Sequence, residues 1–250
     1  MKWLDAHVTV GDGVHFKLDP GRLLDAMDRH EVETAVLSPP DHEVAFHNEE
    51  GNESMLKLIR AYPGRFAAYA VYSPWRSLKG TAPLEKALEG GCRGIKLDVM
   101  VQGCSLLDPI VDPLIDAARR HRAFVYVRTG ASMHALPLQA AELARRHPDV
   151  SFILGRMGKT DYAVEAIPAL LQVDNLYAET VHNYVPYLKT LIAKIGVGRI
   201  LFSSDLPLTS YERETEKIKD LQLPDELLEP IVHGNLLRLL SPDKEGLYDR

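Results

Sequence analysis

Short runs of β-branched and apolar residues alternate with amphipathic helical stretches along the whole chain, and no linker or low-complexity segment breaks the pattern. Eight strand-like runs stand out: WLDAHVTV from Trp3, TAVLS from Thr34, FAAYAVY from Phe66, GIKLDV from Gly94, FVYVRT from Phe124, SFILG from Ser151, LYAETV from Leu176 and ILFSSD from Ile200. Between them lie stretches with helical spacing such as GRLLDAMDRH, SMLKLIRAY, PLEKALEG, DPLIDAARRH, ALPLQAAELARRH and YVPYLKTLIAKI, and DELLEPIVHGNLLRLL follows the last strand. Strand–helix alternation of this kind implies a parallel sheet. An open doubly wound sheet would alternate in the same way, so the strand ends decide. They are polar: His7 and Thr9, Ser38, Ser73, Lys96 and Asp98, Arg128, Arg156, Glu179, Asp205. Side chains at the C-terminal ends of barrel strands converge on one mouth, which predicts a single α/β domain over residues 1–250, a (β/α)8 TIM barrel.

A chain of 250 residues with 46% hydrophobic content can bury one large core. Its net charge of -6 provides no overall positive field for a phosphate backbone, so nucleic acid is not an expected partner. The basic runs Arg119-Arg120-His121-Arg122 and Arg145-Arg146-His147 close helical stretches, where cations offset the helix dipole. No apolar leader follows Lys2 and no stretch approaches bilayer length, so a cytoplasmic protein without a membrane partner is expected. Cys92 and Cys104 have no metal-type spacing and read as reduced thiols.

Several motifs fall short. SFILGRMGKT ends in Gly-Lys-Thr but has Ile153 where a phosphate-binding loop needs glycine. His42 and His47 are one residue too far apart to share a helical face as in a zinc protease. No G-x-S-x-G elbow surrounds Ser203 or Ser204.

In order along the chain, LDAHVTVG resembles an Asp-x-His-x-His-x-Gly first-strand motif, and Asn52, Pro63, Arg65 and Phe66 fall at matching positions of the next helix and strand. CRGIKL, RILFSSDLP and GNLLRLL continue the match. Together these resemble the amidohydrolase-related branch of the amidohydrolase superfamily, nearly end to end. The resemblance implies a divalent metal held by two first-strand histidines, one histidine each from the fifth and sixth strands, and the eighth-strand aspartate. Position by position, His7 and Asp205 match, while Thr9, Arg128 and Arg156 stand where three histidines should be. A guanidinium stays protonated and has no lone pair to offer, so it repels a dication.

The site is therefore expected to have no metal and to use no cofactor, zinc being the disfavoured alternative. Arg128 and Arg156 would grip a small anionic substrate (a carboxylate, lactone or phosphate) or stabilise an oxyanion. Asp205 would be the general base, His7 the acid or relay, and Lys96 a further electrophile, with Thr9, Glu179 and His182 completing the substrate-binding set. Hydrolysis is the expected reaction, with decarboxylation, hydration and isomerisation left open. One alternative is a non-catalytic barrel whose arginines plug the old metal cavity through ion pairs to Asp205 and Glu179. Another is a metallohydrolase with rearranged ligands that include Glu179 or His182. Trp75, Tyr72 and His42 are expected to line or cover the mouth. A homodimer is the commonest assembly for such a chain.

Overall fold

The computed structural model describes residues 1–130, 132–159 and 161–241. Eight parallel strands follow one another in sequence order: β1 (Trp3–Thr9), β2 (Val32–Ser38), β3 (Phe66–Val71), β4 (Gly94–Leu97), β5 (Phe124–Arg128), β6 (Phe152–Gly155), β7 (Leu176–Glu179) and β8 (Ile200–Leu201). β8 is short, yet the chain beyond it closes the circle on β1. Ala6 N donates to Phe202 O at 3.0 Å, Asp205 N to His7 O at 3.0 Å and Thr9 N to Leu206 O at 2.8 Å. The architecture is the (β/α)8 barrel expected from the alternation.

The helices sit where the amphipathic stretches predicted them. Pro20–Arg29 starts with Pro20 in its first turn under the Asp19 cap, whose carboxylate accepts from Gly21 N at 2.8 Å, and it buries Leu23 and Met27 against the barrel. The 225–240 stretch is helical from Asp225 to Leu240 with a π-helical turn at Pro230–Gly234. Among the described residues, the longest helix not singled out in the sequence is Tyr211–Lys219, whose positions are mostly charged.

Strand parity divides the core in two. Outward residues such as Ala35, Leu37, Ile95, Leu97, Val125 and Val127 pack under the helices. Inward residues Leu4, Ala6, Val36, Tyr69, Phe124, Tyr126, Ile153 and Leu201 fill the barrel, stopped at its lower end by Leu236 and Leu239 of the last helix. Tyr69 donates its hydroxyl to Ala6 O at 2.6 Å, which satisfies a phenol that the barrel buries completely. No helix among the described residues is long and apolar enough to cross a membrane, and both cysteines are buried.

Parity alone misplaces the first strand. Alternation from Leu4 and Ala6 would point His7 outward, but an irregularity in the β1–β2 pairing between Asp5 and Val8 inserts an extra step. His7 consequently stacks on the inward Tyr126, with ring centroids 4.6 Å apart, while Val8 and Val10 join the outer layer. Asp5 pins this bulge from outside: its Oδ1 accepts from His7 N at 3.1 Å and Ser204 N at 2.9 Å, and its Oδ2 from Ser204 Oγ at 2.5 Å.

Gly155 ends β6 with its α-carbon under the Tyr126 ring, so a methyl group there would overlap the ring and hydroxyl. Overpacking of this kind typically costs about 1–3 kcal/mol. Gly155→Ala should lower the urea unfolding free energy by that order, with wild-type far-ultraviolet circular dichroism retained; unchanged stability would show that Tyr126 is free to move.

Candidate active site

All eight residues expected at the site lie at the C-terminal ends of the strands or on the loops that follow them. Their centre is Asp205, 1% exposed and just beyond β8. Its Oδ1 lies 3.0 Å from His7 Nδ1, its Oδ2 lies 2.6 Å from His182 Nε2, and Arg156 Nη2 reaches Oδ2 at 2.9 Å. A carboxylate only accepts, so both imidazole nitrogens facing it carry protons. His7 Nε2 is then an acceptor, and it faces Lys96 Nζ at 3.1 Å. Lys96 also donates to Ser38 Oγ at 2.8 Å.

The titrations follow from this packing. Burial pushes Asp205 up, but the hydrogen bonds from His182 and His7 and the charge of Arg156 outweigh it and hold the carboxyl well below the usual range. Burial, helped by the charge of Lys96, lowers His7 to about 4, so its ring is neutral. Burial also lowers Lys96 to about 8, against the pull of Asp98. Glu179 is fully buried and raised to about 8, first by burial and then by the negative charge of Asp205. It accepts from Tyr126 Oη at 3.0 Å and from the Arg156 backbone N–H.

The two arginines divide their tasks in a way the sequence did not reveal. Arg156 pairs with Asp205, but Glu179 meets its backbone and not its guanidinium. Arg128 turns to the opposite wall, where its Nη1 donates to Asp98 at 2.5 Å and approaches Asp41 at 3.4 Å. The proposed plug of both arginines on Asp205 and Glu179 is therefore half present. Lys96 does not form a hydrogen bond to Asp98; Arg128 takes that carboxylate.

These groups border an open cavity of ≈ 410 Å³. Lys96, Arg128, Arg156 and Lys159 supply positive charge against the single carboxylate of Asp41, Thr9 and His42 polar edges, and Phe16, Met100 and Leu208 apolar wall. His7 and Asp205 lie behind this lining, and His182 opens onto a neighbouring cavity. Of the three residues expected to cover the mouth, only His42 does so: Tyr72 is buried in the outer layer and Trp75 donates its indole N–H to Gln102 O at 3.1 Å. Sequence reasoning missed Lys159, whose Gly-Lys signal was read only as a failed phosphate loop; Thr160 of that motif lies outside the described residues. It also missed Asp5, which positions both His7 and the approach to Asp205.

Glu179 gives a signed pH prediction. A carboxyl raised to about 8 stays protonated in the fold while the unfolded chain ionises near pH 4.5, so unfolding releases a proton in that window. Its contribution therefore falls as pH rises from about 4.5 to 8 and is flat above. Glu179→Gln keeps the acceptor and removes the proton. Urea melts should show the variant gaining on wild type from pH 5 to pH 8; a constant difference would place the ionised form in the fold.

Comparison with known proteins adds one curated relative and two solved structures of the same fold. The curated decarboxylase orsB of Emericella nidulans is 28% identical over 284 residues, covering 90% of this chain and 86% of its own length. The 2,6-dihydroxybenzoate decarboxylase of Rhizobium superposes with a TM-score of 0.76 at 18% identity, over 97% of this chain and 99% of that one. A dihydroxybenzoic acid decarboxylase of Polaromonas sp. JS666, solved with bound manganese and the inhibitor 2-nitroresorcinol, gives 0.74 at 16% identity, over 99% of each chain.

The manganese corrects the expectation that no cofactor is used: barrels of this shape are crystallised with a divalent metal. The side chains of the present mouth do not fit one as arranged. His7 Nε2 faces an ammonium group, and both Asp205 oxygens are taken by His7, His182 and Arg156. Among the described residues no three His, Cys, Asp or Glu side chains gather as a metal site. The amidohydrolase family model matches residues 15–241, most of the barrel, and the chain belongs to that family.

Proposed function

We propose that the chain is an enzyme that takes a small planar carboxylate into the barrel mouth and releases its carboxyl group as CO2. One observation carries this reading: Lys96, Arg128, Arg156 and Lys159 share a single cavity of ≈ 410 Å³ with apolar walls. Cations recognise the carboxylate by charge-assisted hydrogen bonds, and the walls accept the flat ring. The decarboxylase relatives support the reaction class.

Non-oxidative decarboxylation consumes one proton at carbon. Lys96 is the donor in this scheme: it lines the cavity, and its lowered proton affinity puts it near neutrality, where a general acid works best. The proton passes from Nζ to the ring carbon bearing the carboxylate. The carbon–carboxylate bond then breaks, its electron pair returns to the ring, and CO2 leaves. His7, neutral and accepting from Nζ, holds the ammonium in place; Arg156 neutralises Asp205, so the carboxylate does not draw that proton away.

This assignment moves the acid–base role from Asp205 to Lys96. Hydrolysis would need a base for water, and a carboxylate held so far below its ordinary range is a weak one. The non-catalytic alternative meets a different difficulty, since the ion pairs leave the mouth open.

The test is CO2 release from 2,6-dihydroxybenzoate and related hydroxybenzoates, with manganese supplied and with a chelator present. Lys96→Met should cut kcat by about 100-fold or more with the fold intact. Wild-type activity should fall as pH rises through about 8, where the donor loses its proton. Full turnover in the methionine variant would remove Lys96 from the mechanism.

A further inference from the structure

A second cavity of ≈ 430 Å³ adjoins the mouth, lined by Lys159, His182, Asn183, Thr209, Arg213 and Glu214, among others. Lys159 and Leu208 belong to the walls of both, so a cation and an apolar side chain stand between the two cavities. Lys159 follows the turn after β6 and Leu208 the turn after β8.

The charges in this chamber are unequal. Glu214 is matched by Lys217, which also donates to Thr180 O at 3.0 Å. Arg213 is exposed, and among the described residues its guanidinium has no hydrogen bond or ion pair. Asn183 and Thr209 add neutral polar groups. The chamber is thus a cationic, hydrogen-bonding space with a spare planar donor.

We propose that the substrate is an elongated acid with two anionic groups: the carboxyl that reacts sits in the mouth, and a tail bearing the second crosses the Lys159–Leu208 partition to Arg213. This rests on the reading of the mouth as a carboxylate site. A single-ring monoacid fills one cavity and leaves the chamber to water. A diacid of suitable length engages both and gains a charge-assisted pair at its far end. Arg213 is then a specificity residue that acts on binding and does not touch the reacting carbon.

Isothermal titration of wild type and Arg213→Gln with benzoate and with 4-(2-carboxyethyl)benzoate tests this without depending on turnover. The diacid should bind wild type about tenfold or more tightly than benzoate, and Arg213→Gln should erase that margin while leaving benzoate affinity unchanged. Equal affinity of the two acids for wild type, or a margin that survives in the variant, overturns the proposal and leaves the mouth reading standing. If benzoate does not bind at all, the mouth reading falls. The proposal, which places the reacting carboxyl in the mouth, then falls with it.

Discussion

A carboxylate taken almost wholly out of water must be met by charge or hydrogen bonds, and the upper end of this barrel is organised by that requirement at Asp205. Three partners meet it, each from a different strand end: His7 from β1, Arg156 from β6 and His182 from the loop after β7. The ion cluster therefore ties the first strand to the last quarter of the chain, across the seam that only three backbone hydrogen bonds outside the regular ladder close. Removing Arg156 would leave Asp205 with the two imidazole hydrogen bonds and without its guanidinium countercharge; breaking comparable buried pairs costs about 3–5 kcal/mol.

The backbone bends to achieve this. Arg156, His182 and Asp205 all have positive φ, 60°, 62° and 51°, a region that residues with a β-carbon seldom occupy. Each such residue costs on the order of 1–3 kcal/mol, and persists only where surrounding contacts over-determine it. Here those contacts are the ion pairs themselves. The left-handed turn at Arg156 has a further effect. β6 points Ile153 inward, so simple alternation would aim residue 156 at the helices; the turn returns its guanidinium to the barrel centre and its N–H to Glu179.

This explains which parts of the site were legible in the sequence. Lys96 on β4, Arg128 on β5 and Glu179 on β7 were placed at the mouth as polar residues at strand ends, and all three lie on the inner face. His7 was identified from its motif, but its inward direction depends on a bulge that no pattern of apolar residues announces. The partner of Arg128 was illegible for a different reason. Asp41 opens a short helix after β2 and Asp98 precedes another after β4, segments whose course depends on the assembled barrel, so nothing local pairs them with residue 128. The fold itself was readable because eight strands and their intervening helices each carry their own period, and closure then follows from the mouth residues.

The electrostatics of the mouth form one coupled unit inside a chain whose net charge is -6. Four cations outnumber the one carboxylate, Asp41, in the cavity lining, so an anion that enters meets an excess of positive charge. The same charges set the state of every group behind the lining. Arg156 binds Asp205 and so limits the pull of that carboxylate on the His7 proton; neutral His7 can then accept from Lys96; and Lys96, buried and close to two guanidinium charges, gives up its proton more readily than an exposed lysine. Charge alone could be supplied by other arrangements; what this one adds is a buried lysine held between His7 and Ser38, linked through His7 to the aspartate beyond the last strand.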